Sequence, residues 1–433
     1  MEARPALDDA ALGRDAWSVL DANWTGLATH PSPGIYPHQW SWDSAFTALG
    51  MARRNPRRAR EELRSLFRGQ WRDGMLPHIV FHSADRSLYF PGPEVWRSLD
   101  HDDAPRGVAT SGLTQPPLHA YALWWMWRNG SGLDRESLRG FVRRLWPALL
   151  AQHAHLARVR DLGGGGLAAI VHPWESGMDD SPAFDAPLAA LPVVRRDYRR
   201  DPAGAESDHD RYIWLAAGYR DSGYAAGYLR EEHPFAVEDP MFNGIWLAST
   251  WALAQLAPVI GRDPAPYEED AARIRAALIE RLWSPSSGAF LARDVRAGRS
   301  IPICTVGGFG PLLDPGLPME YITAMVALLE SPRFMGAAGY PVPSCEIRAP
   351  EFDRTRYWRG PTWVSANWLL WRGCCVHGMT GLADIIASST LRLVRQAGFR
   401  ECFDPFDGTG RGCRDFSCSA ALALDLLTTS RSV

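Results

Sequence analysis

Carboxylates and aromatic rings are concentrated in four short segments of the sequence. These are YPHQWSWDSAF (36–46), HPWESGMDDSP (172–182), RYWRGPTW (356–363) and GFRECFDPFDG (398–408). Two carboxyl groups can cleave an acetal when one protonates the departing oxygen and the other delivers water or attacks directly. A neighbouring Trp excludes water and so raises the pKa of the acid, which keeps it protonated. Because no His–Cys metal spacing accompanies these carboxylates, the segments predict glycoside chemistry without a metal or a cofactor.

The composition of the 433-residue chain is that of a globular protein, with 46% hydrophobic and 22% charged residues. The net charge of −3 gives no reason to expect nucleic acid, and no apolar run reaches the ~18 residues of a membrane span. An odd number of cysteines, seven, and an N-terminus without a signal-peptide pattern predict a reduced, cytoplasmic setting. The 19 tryptophans suit a site that stacks sugar rings. A small glycoside is the expected partner, and a homo-oligomer is compatible with the sequence.

Helical periodicity recurs along the chain and predicts the elements that must position these segments. The predicted helices lie near 7–22, 42–54, 57–70, 115–128, 135–158, 208–220, 240–258, 265–283, 318–330, 361–372, 379–396 and 416–429. We therefore expect an all-α single domain over 1–433, an (α/α)6 toroid with its site at the mouth of the ring. An open α-solenoid is the alternative, but no repeat of 20–50 residues is present.

The connections between the predicted helices contain little strand. GAFLARDV (288–295) is the best candidate for a strand or hairpin, and VGGFG (306–310) is interpreted as a turn. Two connections, near 82–114 and 175–207, are too long for simple turns. Long loops in a compact domain are usually functional, so both are expected to form lids over the site.

The four segments together resemble glycoside hydrolase family 63, in particular its bacterial glucosylglycerate and mannosylglycerate hydrolases. The resemblance spans about 36–427, which is nearly the whole chain. It implies an (α/α)6 barrel that hydrolyses α-glycosides with inversion. The Asp of the SGMD element, Asp179, is then the general acid, and the Glu of FRE-x-F-DP, Glu401, is the general base.

The same resemblance implies the substrate-binding residues. Asp43 is expected to bind sugar hydroxyls, and Trp40 and Trp42 are expected around the glucose subsite. Trp174 is expected to line the pocket near the acid. The leaving-group side is expected to comprise Tyr36, Tyr89, Gln115, Arg211, Tyr357 and Trp358. Trp363 extends this aromatic surface, and Gly177 and Gly360 are expected where backbone approaches ligand.

Several assignments leave alternatives open. Arg211 could bind the glycerate carboxylate with its guanidinium fork, or pair with Asp208 or Asp210. His78 could hold a sugar hydroxyl or be a structural histidine. Glu175 is interpreted as a hydrogen-bonding support, whereas Asp180 and Asp185 are interpreted as capping or surface groups. The sequence also departs from the family pattern, with Cys402 where Tyr is usual and Cys418 where Trp is usual.

Three classes of function remain in competition at this point. The leading hypothesis is hydrolysis of 2-O-α-glucosylglycerate to glucose and glycerate, with mannosylglycerate or a short α-glucoside as the runner-up substrate. N-acylglucosamine epimerases share the toroid, but they depend on paired histidines at the ring mouth, and histidines do not dominate the four segments. An inactive sugar-binding toroid is the third class, kept open by Cys402 and Cys418.

Overall fold

The chain is predominantly α-helical in the computed structural model, which describes residues 8–82, 89–130, 132–193 and 206–429. The α-helices within these ranges are α1 Asp9–Ala22, α2 Ser41–Met51, α3 Pro56–Phe67, α4 Pro93–Trp96, α5 His119–Asn129, α6 Gly132–Val159, α7 Asp185–Ala189, α8 Glu206–Asp221, α9 Ala226–Glu231, α10 Pro240–Leu256, α11 Ala265–Leu282, α12 Met319–Glu330, α13 Val364–Val376, α14 Thr380–Ala397 and α15 Ser417–Thr429. Each predicted helix is present, with ends displaced by at most four residues. The short helices α4, α7 and α9 were not predicted.

Helix starts follow the local sequence closely at some positions and not at others. The N-cap Asp239 accepts a hydrogen bond from the Phe242 amide at 2.8 Å, and Pro240 then occupies the first turn of α10. The same proline rule, applied to Pro361, predicted the start of α13 wrongly. Thr362 is instead in extended backbone that pairs with Phe403, so the helix begins only at Val364.

The most deeply buried helices pack against one another in succession. Helix α2 contacts α5, α5 contacts α10, α13 contacts α15, and α15 contacts α2. A buried 3-10 helix, Val306–Leu313, contacts both α10 and α13. The interpretation of VGGFG as a turn was therefore wrong. Its glycines allow backbone contact, because a Cβ on Gly244 of α10 would lie only 2.5 Å from the Gly310 carbonyl carbon.

A second set of helices covers these buried ones. Helix α1 packs on α15, α3 on α2, α6 on α5, α11 on α10, and α14 on α13. These covering helices are amphipathic. In α14, for example, Leu382, Ile386 and Leu393 are buried while Ile385 is half exposed.

Strands in the described residues are only two residues long, and they tie loops together. A four-stranded antiparallel sheet has the order β3-β4-β7-β8, and three two-stranded sheets pair β1 with β2, β5 with β6 and β9 with β10. The strands are β1 Gln39–Trp40, β2 Ile79–Val80, β3 Ala169–Ile170, β4 Val237–Glu238, β5 Trp283–Ser284, β6 Ala289–Phe290, β7 Arg293–Asp294, β8 Arg299–Ser300, β9 Cys402–Phe403 and β10 Gly410–Arg411. The predicted strand at 288–295 is thus divided between β6 and β7.

The two predicted lids are described only in part, since residues 83–88 and 194–205 lie outside the described ranges. The remainder of the first contains α4 and a 3-10 turn, and that of the second contains two 3-10 turns and α7. Over the described ranges, no helix is both long enough and apolar enough to cross a membrane.

Candidate active site

Glu401 is held by three hydrogen-bond donors from separate parts of the chain. Its Oε1 accepts from the hydroxyls of Tyr36 and Tyr357, at 2.8 and 3.1 Å. Its Oε2 accepts from the Cys413 amide at 3.0 Å, and the Glu401 amide donates back to the Cys413 carbonyl at 3.2 Å. Only 4% of the residue is exposed. Hydrogen bonds to a carboxylate are short and strong, so this group has a fixed orientation.

The two phenols remain protonated donors across the physiological range. Burial, and then the charge of Glu401, raises the pKa of Tyr36 well above its usual value of 10. Burial, Glu401, Tyr36 and Asp179, in that order, also raise the pKa of Tyr357 well above 10. Because the charge of Asp179 acts on the same phenol that binds Glu401, both predicted catalytic carboxylates lie near Tyr357.

The segments that carry these groups are tied to one another. Thr362 and Phe403 exchange two backbone hydrogen bonds, of 2.7 and 2.9 Å, which join the Tyr357 loop to the strand following Glu401. The Trp363 indole N–H donates to the Tyr357 carbonyl at 3.1 Å. These bonds fix the tyrosine relative to the carboxylate that it binds.

Asp179 is half-buried and follows a 3-10 turn, Pro173–Ser176. Gly177 ends that turn in the left-handed region, with φ of 67°, and a Cβ there would lie 2.6 Å from the Trp42 ring. The turn is closed by the Ser176 hydroxyl, which donates to the Pro173 carbonyl at 2.7 Å and accepts from the Met178 amide at 2.8 Å. A glycine is therefore needed here for Trp42 to pack against this turn.

Glu175 supports this turn from within the protein. It makes a bidentate ion pair with Arg160, at 2.7 and 2.8 Å, in which neither side chain is more than 1% exposed. Its oxygens also accept from the amides of Val171 and Thr114, at 2.7 and 3.1 Å. The interpretation of Glu175 as a support is confirmed.

Asp43 lies in the first turn of α2 and is 8% exposed. Burial raises the pKa of its carboxyl from 3.8 to about 6, partly offset by the Cys418 thiol, while the charge of Glu401 raises it further. The Cys418 sulfur lies 3.1 Å from Oδ1. Cys418, which stands where the family usually has Trp, therefore contacts Asp43, the residue predicted to bind sugar hydroxyls.

Sequence comparison matches residues 36–419 to the family described as the mannosylglycerate hydrolase MGH1-like glycoside hydrolase domain. The chain belongs to this glycoside hydrolase family.

Relatives of this glycoside hydrolase cover nearly all of it. It is 41% identical to a mannosylglycerate hydrolase of Thermus thermophilus, over 94% of this chain and 99% of the relative. It is 38% identical to a mannosylglycerate hydrolase of Rubrobacter radiotolerans, over 98% of both chains. It is 35% identical to a glucosylglycerate hydrolase of Mycolicibacterium hassiacum, over 98% and 99% of the two chains.

Solved structures agree with this assignment. The crystal structure of a family 63 mannosylglycerate hydrolase from Thermus thermophilus in complex with Tris superposes with a TM-score of 0.88 and 40% identity, covering 95% of this chain and 99% of that one. The predicted membership of glycoside hydrolase family 63 and the predicted hydrolase class are confirmed.

Most of the predicted aromatic residues of the hydrolase form two groups of ring contacts, and the hydroxyls of Tyr36 and Tyr357, 3.3 Å apart, join them. Trp358 and Trp363 stack with centroids 4.1 Å apart, and Trp42 lies 6.4 Å from Trp358. Trp40 contacts the edges of Tyr36 and Tyr89, at 5.3 and 5.1 Å. Trp358 is only 2% exposed, so neighbouring protein groups cover its ring.

Three other predicted residues make contacts within the protein. Gln115 accepts from the Trp42 amide at 3.2 Å. Burial lowers the pKa of His78 to about 3, so it is a neutral ring, 2.6 Å from the Ser111 hydroxyl and stacked 6.1 Å from Trp174. A Cβ on Gly360 would lie 2.5 Å from the Asp353 carbonyl oxygen, so this glycine permits contact within the protein.

Arg211 is half-buried in α8, and its Nε donates to the Leu191 carbonyl at 3.4 Å. The adjacent Tyr212 was not predicted to matter. Its hydroxyl accepts from the Asp180 amide at 3.2 Å, and its ring packs edge-on against Trp174 at 5.6 Å. Nothing in the local sequence indicates that Tyr212, in a helix, contacts a turn 32 positions earlier.

The interpretation of Asp180 as a capping or surface group was wrong, because its side chain is only 12% exposed, whereas the Asp185 side chain is 43% exposed and lies at the surface as predicted. Both carboxylates form ion pairs with arginines of the 356–363 segment. The two cysteines that depart from the family pattern lie in different surroundings. Cys418 contacts Asp43, whereas Cys402 is buried in the hydrophobic core. All seven cysteines are free thiols.

Proposed function

We propose that this glycoside hydrolase cleaves 2-O-α-glucosylglycerate to glucose and glycerate, with inversion at the anomeric carbon. The observation that carries the proposal is the fixed carboxylate of Glu401, bound by Tyr36, Tyr357 and the Cys413 amide. A carboxylate held in this way suits a base that must direct one water at one face of a sugar.

In the proposed mechanism, Asp179 protonates the glycosidic oxygen while Glu401 takes a proton from the attacking water. Inversion requires the two carboxyl groups to stand roughly 6.5–9.5 Å apart, with the sugar and the water between them. Asp179 is half-buried on the turn against which Trp42 packs, and its charge acts on the same Tyr357 that binds Glu401, which supports its role as the acid that works with that base.

We infer that the hexose lies against Trp40 and Trp42 with its hydroxyls bound by Asp43. The glycerate is expected near Tyr89, Gln115 and Tyr357, its carboxylate bound by the fork of Arg211. Tyr212 follows Arg211 in α8, and its hydroxyl binds the Asp180 amide. This contact holds the Arg211 part of α8 close to the acid, which supports the arrangement.

We also infer an (α/α)6 toroid in one domain, in which the loops near 82–114 and 175–207 act as lids. The unbroken succession of contacts from α2 through α5, α10, the 3-10 helix, α13 and α15 back to α2 supports a closed inner ring. The free thiols support a reduced, cytoplasmic setting.

A second substrate, 2-O-α-mannosylglycerate, is favoured by the names of the 41% and 38% identical relatives. The two glycosides differ in configuration at C2 of the hexose. Purified protein incubated with each glycoside separately, with free hexose and glycerate measured by chromatography, tests the proposal. We expect release from glucosylglycerate at the higher kcat/KM. Release from mannosylglycerate alone would replace the first substrate by the second, and release from neither would contradict the proposed function.

A further inference from the structure

Two aspartates and two arginines form an ion-pair network beside the proposed acid. The Asp180 carboxylate accepts from Nε and Nη2 of Arg356, at 2.8 and 2.5 Å, and from Nε of Arg359 at 3.2 Å. Arg359 also pairs with Asp185 through both of its terminal nitrogens. The side chains of Asp180 and Arg359 are only 12% and 9% exposed, so solvent screens this pair less than it screens a surface pair.

This network connects the two segments that carry the catalytic machinery. Asp180 follows Asp179 directly, and Arg356 precedes Tyr357, whose hydroxyl binds Glu401. The Asp180 backbone is in the left-handed region, with φ of 64°, and its amide donates to the Tyr212 hydroxyl. Non-glycine residues are uncommon in this region, although aspartate adopts it more readily than most.

We propose that the Asp180–Arg356 bridge positions Asp179 toward the leaving-group oxygen and balances the charge around that acid. The proposal rests on the proposed function, in which Asp179 is the general acid. Asp180 and Arg356 are positioning residues, since both act through Asp179 and neither touches the reacting atoms.

If the bridge balances the charge around Asp179, removing its two partners one at a time should shift the pKa of Asp179 in opposite directions. Charged and titratable groups facing the Asp179–Asp180 turn include Asp185, Tyr212, Arg356, Tyr357 and Arg359. The two arginines and two aspartates of the network balance to zero. Neutralising Asp180 leaves one excess positive charge, which lowers the pKa of Asp179, and neutralising Arg356 leaves one excess negative charge, which raises it.

The first experiment measures kcat/KM against pH for Asp180→Asn, Arg356→Gln and the double variant. Activity is lost at high pH when the acid deprotonates. We therefore expect the basic limb to move down by about half a pH unit or more in Asp180→Asn and up by a similar amount in Arg356→Gln. The neutral double variant should return to the wild-type position. Asp185→Asn is the matched control, because it removes the same charge at the solvent-exposed end of the network, where the side chain is 43% exposed.

The second experiment separates positioning of the acid from general damage to the site. α-Glucosyl fluoride needs little acid assistance because fluoride is a good leaving group. Asp180→Asn and the double variant should therefore lose roughly tenfold or more in kcat on glucosylglycerate and much less on the fluoride. Asp180→Glu, which keeps the charge, should recover part of the loss. Thermal melting of each variant identifies any that does not fold, and Arg356→Gln and Asp180→Glu then carry the test.

Two results would contradict the proposed role of the Asp180–Arg356 bridge. One is an equal loss of kcat on both substrates, and the other is a shift of the basic limb in the same direction for Asp180→Asn and Arg356→Gln. Asp179→Asn separates the two proposals. If it is inactive on glucosylglycerate while Asp180→Asn behaves as wild type, the bridge alone fails. If Asp179→Asn retains full turnover of glucosylglycerate, the acid assignment fails and the bridge fails with it.

Discussion

The phenol of Tyr357 donates to Oε1 of Glu401 over 3.1 Å, from a loop that is itself paired to the strand following Glu401. The base and one of its donors are thus fixed to each other by backbone as well as by side chain. Tyr36 completes the arrangement from the opposite end of the sequence, 365 positions away.

Removing one phenolic donor should slow the reaction without abolishing binding. Tyr36→Phe and Tyr357→Phe should each lower kcat by roughly 10- to 100-fold with little change in KM, because each removes one of two donors to the same oxygen. The double variant should lose less than the product of the two single effects. Tyr340→Phe is the control, since that phenol bonds Gln396 on the surface. Steady-state kinetics showing wild-type kcat in both single variants would reject this account of the base.

Breaking the ion pair beneath the acid should destabilise the fold. Arg160→Met leaves the buried Glu175 carboxylate without its cation, and should lower the free energy of unfolding by about 3–5 kcal/mol. Denaturant unfolding is the measurement. The exposed pair Arg139–Glu136, with side chains 44% and 76% exposed, should lose less than about 1 kcal/mol when broken by Arg139→Met. Equal losses in the two variants would be inconsistent with a buried, supporting role for Glu175.

Asp43 should make stability depend on pH in a defined direction. Its pKa is raised from 3.8 to about 6, so the folded protein binds the proton more tightly than the unfolded chain does. This contribution to stability is present in full below about pH 4 and is lost as the pH rises through 6. Asp43→Asn should therefore gain about 2 kcal/mol relative to wild type between pH 4 and pH 7.5. Unfolding at both pH values measures the gain, with the exposed Glu136→Gln as control, and a difference that is independent of pH would refute the burial argument.

Arg211 should distinguish glycerate from neutral leaving groups. Arg211→Ala should raise KM for glucosylglycerate roughly tenfold or more, because a bidentate charged contact is lost, and should change KM for neutral α-glucosides far less. Arg211→Lys should recover only part of the effect, since an ammonium group lacks the planar fork. Equal changes in KM for both classes of substrate would show that Arg211 does not bind the carboxylate.

The parts of the fold that were predictable from sequence have strong local signals. Helix α14 presents a regular apolar stripe and was located to within one residue at each end. The 3-10 helix at 306–313 was missed because its glycines and Pro311 indicate a turn, and only contacts with α10 and α13 make it a buried element. Thr362 was assigned to a helix because the proline rule is local, whereas its pairing with Phe403 is not.

The candidate site likewise has residues that the sequence predicts and contacts that it does not. Asp179, Glu401 and Tyr357 were predicted as site residues because they stand in long motifs that resemble a known family. The Asp180–Arg356 contact joins residues 176 positions apart, and nothing in the local sequence indicates that these two charges meet. The contact between Cys418 and Asp43 could not be predicted for the same reason, although the sequence did show that Cys418 departs from the family pattern.

The central claim is that Asp179 and Glu401 hydrolyse an α-glycoside of glycerate with inversion, and a proton NMR time course tests it most directly. Purified protein is mixed with 2-O-α-glucosylglycerate, and the anomeric signals are followed before mutarotation, beside Asp179→Asn and Glu401→Gln. The account predicts that wild type releases β-glucose first and that both variants are silent. Initial release of α-glucose, or β-glucose formed at the wild-type rate by either variant, would contradict it.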